Sequence, residues 1–179
     1  MKNNDNVSYT QSHITDALLK LMEKQNFEDI SITEIVNEAG VGRASFYRSF
    51  TNKEDVLKKY ILRLLKQWDG EFKETSDLDW VSSLLWHFYN NKNLYSMLFK
   101  SDLSYLIFES IKLVDDKRAQ KDNIHAYFNA AVCGAILGWV EEWFSRGLQE
   151  TPDEIIELLK QAIQMAKLKY KMPKCQNTQ

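Results

Sequence analysis

Apolar residues recur at helical spacing along most of the chain, and the breaks between the stripes carry the residue types that start and stop helices. Ser8 and Gln11 form a capping-box pair ahead of the stripe Ile14, Leu18, Leu21 and Met22. That first helix is expected to stop near Asn26, since asparagine tolerates the left-handed backbone of a helix C′ position. Ser31 and Glu34 open a second helix with the short apolar face Ile32, Ile35 and Val36, and Gly40 closes it after about two turns. Gly42 to Phe50 reads as a third short helix. Asn52 with Asp55 caps a long fourth, from Lys53 to about Glu74, carrying Leu57, Ile61, Leu64, Trp68 and Phe72 at helical spacing.

A polar break at Thr75 to Asp79 precedes a fifth helix marked by Val81, Leu84, Leu85 and Phe88. After a second break at Asn90 to Asn93, Leu94 to Lys100 and Leu103 to Val114 read as two more helices, and the charged run Asp115 to Asp122 as an exposed connection. The most apolar helix runs from Asn123 to about Arg146. Between Ala126 and Val140 only Asn129 is polar, and a helix apolar all round must be covered all round. Gly147 suits its C′ position. Thr151, Pro152 and Glu154 then combine an N-cap, a first-turn proline and a capping box to open the last helix, with Ile155, Leu159, Ala162, Ile163 and Ala166 as its stripe. The pattern predicts an all-α fold of about nine helices, ending in a frayed tail from Pro173.

Composition agrees. With 6 Gly and 2 Pro in 179 residues, the chain lacks the turn punctuation of strand-rich folds, and 44% hydrophobic content supplies a real core. The formal net charge of -2 excludes a protein that coats nucleic acid through bulk charge, so any DNA contact must be a local patch. Cys133 and Cys175 are too few for a disulfide framework and lack zinc spacing, which points to a reducing, cytoplasmic setting. His13, His87 and His125 lie apart, without ligand spacing to Cys or carboxylates. They read as surface or capping residues, and neither a metal nor a cofactor is expected. Met1 to Ser8 has no apolar core for a signal peptide, and the Ala126 to Val140 run is shorter than the ~20 residues a bilayer crossing needs.

Function concentrates between Ser31 and Val56. Two short helices joined by a glycine-bearing turn allow the second to enter the DNA major groove, a slot ~12 Å wide. From Ala39 to Lys53 the charged residues are Arg43, Arg48 and Lys53, whereas the rest of residues 1 to 55 holds three lysines against nine acidic residues. Gly42, Ala44 and Ser45 are small enough for close approach to base edges, and Arg43 suits a bidentate contact to guanine. Ser45, Tyr47 and Lys53 suit phosphates, the last at a helix N-terminus. Thr33 and Arg48 complete the expected DNA surface.

This segment resembles the helix-turn-helix of the TetR family of bacterial regulators. The resemblance rests on Ser31-Ile32, Ile35-Val36, Ala39-Gly40-Val41, Phe46-Tyr47-Arg48-Ser49-Phe50 and Lys53-Glu54, and covers roughly residues 9 to 60. Val36, Asn26 and Gly42 depart from the usual alanine, glycine and serine. A weaker resemblance to the ending of a TetR subgroup lies in Gly134, Gly138, Trp143, Gly147 and Pro152. It implies that the last two helices pair with their copies in a homodimer, and the spacing of Gly134 and Gly138 suits close helix approach. Leu137, Leu158, Ile163 and Met165 are the other expected interface residues.

The implied organisation is a DNA-binding domain over residues 1–52, a helical ligand-binding and dimerisation domain over 53–172, and a flexible tail over 173–179. Trp68, Phe72, Trp86, Tyr89, Phe99, Phe108 and Tyr127 are candidates to line a pocket for a small apolar or aromatic ligand, although taken one by one most of them are better read as core. The implied function is a repressor that binds a palindromic double-stranded DNA operator and is released by ligand. A body that binds a protein partner instead is the alternative. A helical enzyme is disfavoured, because the sequence has no phosphate-cradling glycine loop, HExxH or GxSxG.

Overall fold

The computed structural model describes residues 9–71, 77–114 and 122–170. Among these the chain is entirely helical: α1 (Tyr9–Met22), a 3-10 turn (Phe27–Asp29), α2 (Ile32–Ala39), α3 (Arg43–Ser49), α4 (Lys53–Glu71), α5 (Asp77–Asn90), α6 (Lys92–Lys100), α7 (Ser104–Val114), α8 (Asn123–Ser145) and α9 (Pro152–Tyr170). Ser8, Phe72, most of the Asp115 to Asp122 run and the tail from Pro173 lie outside the described residues.

The boundaries follow local chemistry. Ser31 Oγ accepts from Glu34 N at 3.2 Å while the Glu34 carboxylate accepts from Ser31 N at 2.8 Å, closing the expected capping box. The Ser31 hydroxyl, which donates to the same carboxylate at 2.7 Å, and the Ser31 amide hold the Glu34 carboxyl below its usual range. Thr151 and Glu154 repeat the device at the start of α9. Gly40, at φ 66°, ends α2 in the left-handed conformation a side chain would resist. Asn26 does not play that part: it sits in extended backbone, φ -64° and ψ 142°, and leads into the 3-10 turn. The first helix stops at Met22, and the chain closes its end with bonds from Lys24 N and Gln25 N to Leu21 O. The break expected at 90–93 shrinks to Asn91, whose Nδ2 donates to His87 O at 2.9 Å.

Two parts of one apolar core result. In the first, α1 lies against α2, α3 and α4 around Ile14, Leu18, Ile35, Phe46, Phe50 and Leu57. In the second, α4 runs along α7, α5 packs on α9 and α6 on α8, burying Leu65, Phe88, Tyr95, Leu98, Leu106 and Trp143. Because α4 contributes Val56 and Leu57 to one part and Ile61 and Leu65 to the other, it is the physical link between them.

His87 departs from expectation, for it is buried and its Nε2 lies 2.8 Å from Tyr95 Oη. Trp68, Phe88 and Tyr95 surround the imidazole with rings. Burial pushes its pKa down from 6.5 to about 4. The unfolded chain therefore takes up a proton below pH 6.5 while the folded chain does not until about pH 4, so stability should fall across that window as pH drops. The slope is up to ~1.4 kcal/mol per pH unit. Urea titrations at pH 7 and pH 5 check this, and His87→Gln should flatten the difference.

Candidate nucleic-acid interface

α3 has two faces. Phe46 and Phe50 are buried, their rings tilted against each other at 5.8 Å between centroids, and anchor the helix to α1 and α4. Arg43, Ala44, Tyr47 and Arg48 point to solvent, together with Gly42 at the N-cap. Ser45 is half-buried, and its amide donates to Gly42 O at 2.9 Å. Before α3, Val41 N donates to Val36 O at 3.0 Å and Gly40 N to Asn37 O at 3.2 Å, so the turn that redirects the chain from α2 is closed by main-chain bonds. Thr33, exposed in the first turn of α2, comes within 3.3 Å of the Arg43 guanidinium. Seven of the eight predicted residues thus share the surface made by α2 and α3, without an acidic side chain between Ala39 and Lys53.

Lys53 is the exception. Its Nζ donates to the carbonyls of Phe27 at 2.5 Å, Glu28 at 2.9 Å and Ile30 at 3.0 Å, and sits 4.5 Å from the centroid of the Phe27 ring. With all three ammonium N–H groups directed at carbonyls, the phosphate contact expected of Lys53 does not fit; the side chain caps the 3-10 turn and ties it to α4. Lys53→Met should cost ~1–3 kcal/mol, the price of leaving these carbonyls unmet. Its melting curve checks this.

Lys59 makes a matching contact on the other side of α4. Its Nζ donates to Ser49 O at 2.8 Å, at the C-terminal end of α3, and to Asp55 Oδ2 at 2.9 Å. Asp55 accepts from Thr51 N at 2.9 Å and donates its own amide to Asn52 Oδ1 at 2.8 Å, and its carboxyl is held below its usual range despite burial. Lys58 pairs with Glu109 of α7 at 2.7 Å. A charge run in the sequence cannot reveal these bonds.

Among the described residues, the aromatic side chains expected at a ligand pocket contact one another and their neighbours; Phe72 lies outside the described residues. Trp68 donates to Ser83 Oγ at 2.8 Å and packs on Trp80, Tyr89 stacks on Trp143, and Phe99 lies on Phe144. Phe108 is covered by Lys112. Trp86 is exposed and reaches Asp153 at 3.3 Å, and Tyr127 is 77% exposed on α8. Flat rings that stack fill the space between helices themselves. A cavity of about 60 Å³ lies elsewhere, between α1 and α4 beside Phe50 and Tyr60. Among the described residues no cluster of three metal-ligating side chains occurs, and no helix is long and apolar enough to cross a membrane.

The residues expected to pair with a second copy are on the outside. Gly134 and Gly138 are exposed on α8, and a Cβ at either would meet nothing within 4 Å. Leu158, Ile163 (44%) and Met165 (66%) are exposed on α9, whereas Leu137 is half-buried. The all-round burial expected of α8 is not met within one chain. Val140 and Trp143 face the core, while Ile124 and Tyr127 do not.

Comparison with known proteins bears on these observations. The family described as "Bacterial regulatory proteins, tetR family" matches residues 14–60, and that described as "Transcriptional regulator C-terminal region" matches residues 78–165. The HTH-type transcriptional regulator SAB2452 of Staphylococcus aureus (strain bovine RF122 / ET3-1) is 31% identical over 67 residues, 37% of this chain and 36% of that protein. The chain therefore aligns with about a third of that relative's length. The crystal structure of Lin0861 from Listeria innocua superposes with a TM-score of 0.75 at 21% identity, over 92% of this chain and 94% of that one; this likeness is one of fold. Both the reading module and the helical body are matched in their order along the chain, and the chain belongs to the TetR family of bacterial regulatory proteins.

Proposed function

We propose that two copies of this chain join through α8 and α9 and set their α3 helices about one DNA turn apart, ~34–36 Å, on a near-palindromic operator. The observation that carries this is the two-faced α3: its phenylalanines are locked inside, while Arg43, Ala44, Tyr47 and Arg48 present an exposed surface free of acidic groups. Arg43 reads a base edge; Ser45 and Arg48 meet phosphates, with Gly42 and Ala44 small enough to let the backbone approach. Bound at a promoter in the cytoplasm, the dimer represses by blocking access.

Release follows when a small apolar or aromatic molecule favours a dimer whose α3 spacing no longer matches the operator, acting through α4. A cavity of about 60 Å³ is far below the ~300–1,000 Å³ of a typical ligand site. That cavity, between α1 and α4, is therefore too small to be the site, and the ligand is proposed to enter among the aromatic side chains of the body. The stacked, self-filled aromatic core also favours a second reading, in which the body binds a protein partner.

Selecting bound duplexes from a random pool at low ionic strength tests the central claim. The expected result is a sequence with two inverted half-sites about 10 base pairs apart. Bound sequences without symmetry, or no binding at all, would refute it. For release, loss of operator affinity on adding small aromatic compounds supports a ligand, and affinity that responds only to a second protein supports the other reading.

A further inference from the structure

Arg43 is exposed, yet its guanidinium is not loose. One terminal nitrogen, Nη2, donates to Tyr47 Oη at 3.1 Å, and the other, Nη1, donates to Thr33 Oγ1 at 3.3 Å. The guanidinium carbon lies 5.6 Å from the Tyr47 ring centroid. Tyr47 stands four residues after Arg43 on the same face of α3, and Thr33 comes from the facing helix α2. The contact therefore spans both helices of the reading module. Neither hydroxyl has to move to make it. Tyr47 is fixed from beneath by the buried Phe46 ring, edge-on at 5.5 Å, and Thr33 lies within the Ser31–Glu34 capping box that starts α2.

From this geometry we infer that Thr33 and Tyr47 are positioning residues that hold Arg43 in its base-reading pose before DNA arrives, an inference that rests on the groove-docking reading above. A guanidinium carries five N–H donors. Two are spent on the hydroxyls, and three remain for the paired contact to guanine O6 and N7. A free arginine surrenders its rotamer freedom when it binds, and one already held surrenders less. Tyr47, expected from the sequence at a phosphate, thereby acts on base choice. The pairing also explains why a threonine on α2, away from the small-residue start of α3, belongs to the reading surface.

The test uses the full chain with Tyr47→Phe, which keeps the ring, and Thr33→Val, which keeps the shape. In the free protein, NMR relaxation at Arg43 Nε–H should report an ordered side chain that becomes mobile in the double variant. On DNA, discrimination should fall by about 2- to 10-fold, the worth of one ordered long side chain. That loss should occur only at the base pair where Arg43→Ala also loses discrimination. The slope of affinity against salt should stay unchanged, because no phosphate contact is removed. Adding Tyr47→Phe to Arg43→Ala should cost no further discrimination. Equal weakening on every sequence, or an Arg43 as mobile in the native chain as in the variants, would overturn the inference. An ordered Arg43 in a protein that binds no duplex would overturn the groove reading instead.

Discussion

Gly138→Arg should yield a folded single chain that binds its operator about 10²- to 10⁴-fold more weakly than the native protein. The fold is expected to survive, because a Cβ at Gly138 meets nothing within 4 Å and mid-helix glycine is itself ~1 kcal/mol less favourable than alanine. What the arginine obstructs lies outside the chain. It places a charge on the exposed face shared with Gly134, where a second α8 must approach closely if the two copies pair. Without pairing, each reading module binds alone and forfeits the effective concentration that makes the second half-site nearly intramolecular. Sedimentation of native and variant chains gives the mass, and titration of operator and half-site duplexes gives the affinities. A variant that remains dimeric, or a native chain that is monomeric while binding the operator tightly, would rule this arrangement out.

Arg43→Ala should lower operator affinity about 5- to 150-fold per half-site, the ~1–3 kcal/mol of a bidentate base contact, and relax base preference at one position in each half. Arg48→Ala serves as the contrast. It should weaken every sequence alike and reduce the salt slope by ~1, as removal of a phosphate contact does. Measuring both variants on the selected operator and on its single-base changes separates the two roles. If Arg43→Ala weakened all duplexes equally, its assignment to base reading would fail.

The parts legible in the sequence are those whose chemistry is local. Ser31 with Glu34, Thr151 with Glu154 and the left-handed Gly40 each complete their bonds within a few residues, so spacing alone exposes them. Lys53 and Lys59 were not legible in the same way. Their partners are main-chain carbonyls up to 26 positions away, and a carbonyl has no letter in the sequence. Aromatic side chains are ambiguous for a different reason: Trp68 packs edge-on against Trp80 and Tyr89 stacks on Trp143 as readily as either would on a ligand, and type does not distinguish the two. Tyr127 sits in an apolar run that suggests burial, but among the described residues it is exposed while Val140 and Trp143 of the same helix face the core. His87 carried a usable signal. It stands three residues after the buried Leu84 and beside Phe88, which places it on the inward stripe of α5.

The two lysine contacts at the head of α4 have a consequence for how such a protein can change its target. At Glu28 and Ser49 the main-chain oxygen alone takes part, so the joint between α4 and its neighbours makes no demand on side-chain identity there, whereas Phe27 also offers its ring to Lys53 and, like Ile30, is buried in the core. If the outward face of α3 selects the operator as proposed, substitutions there can change the target without loosening the attachment of the helix, a separation that favours both evolutionary drift and deliberate redesign of specificity.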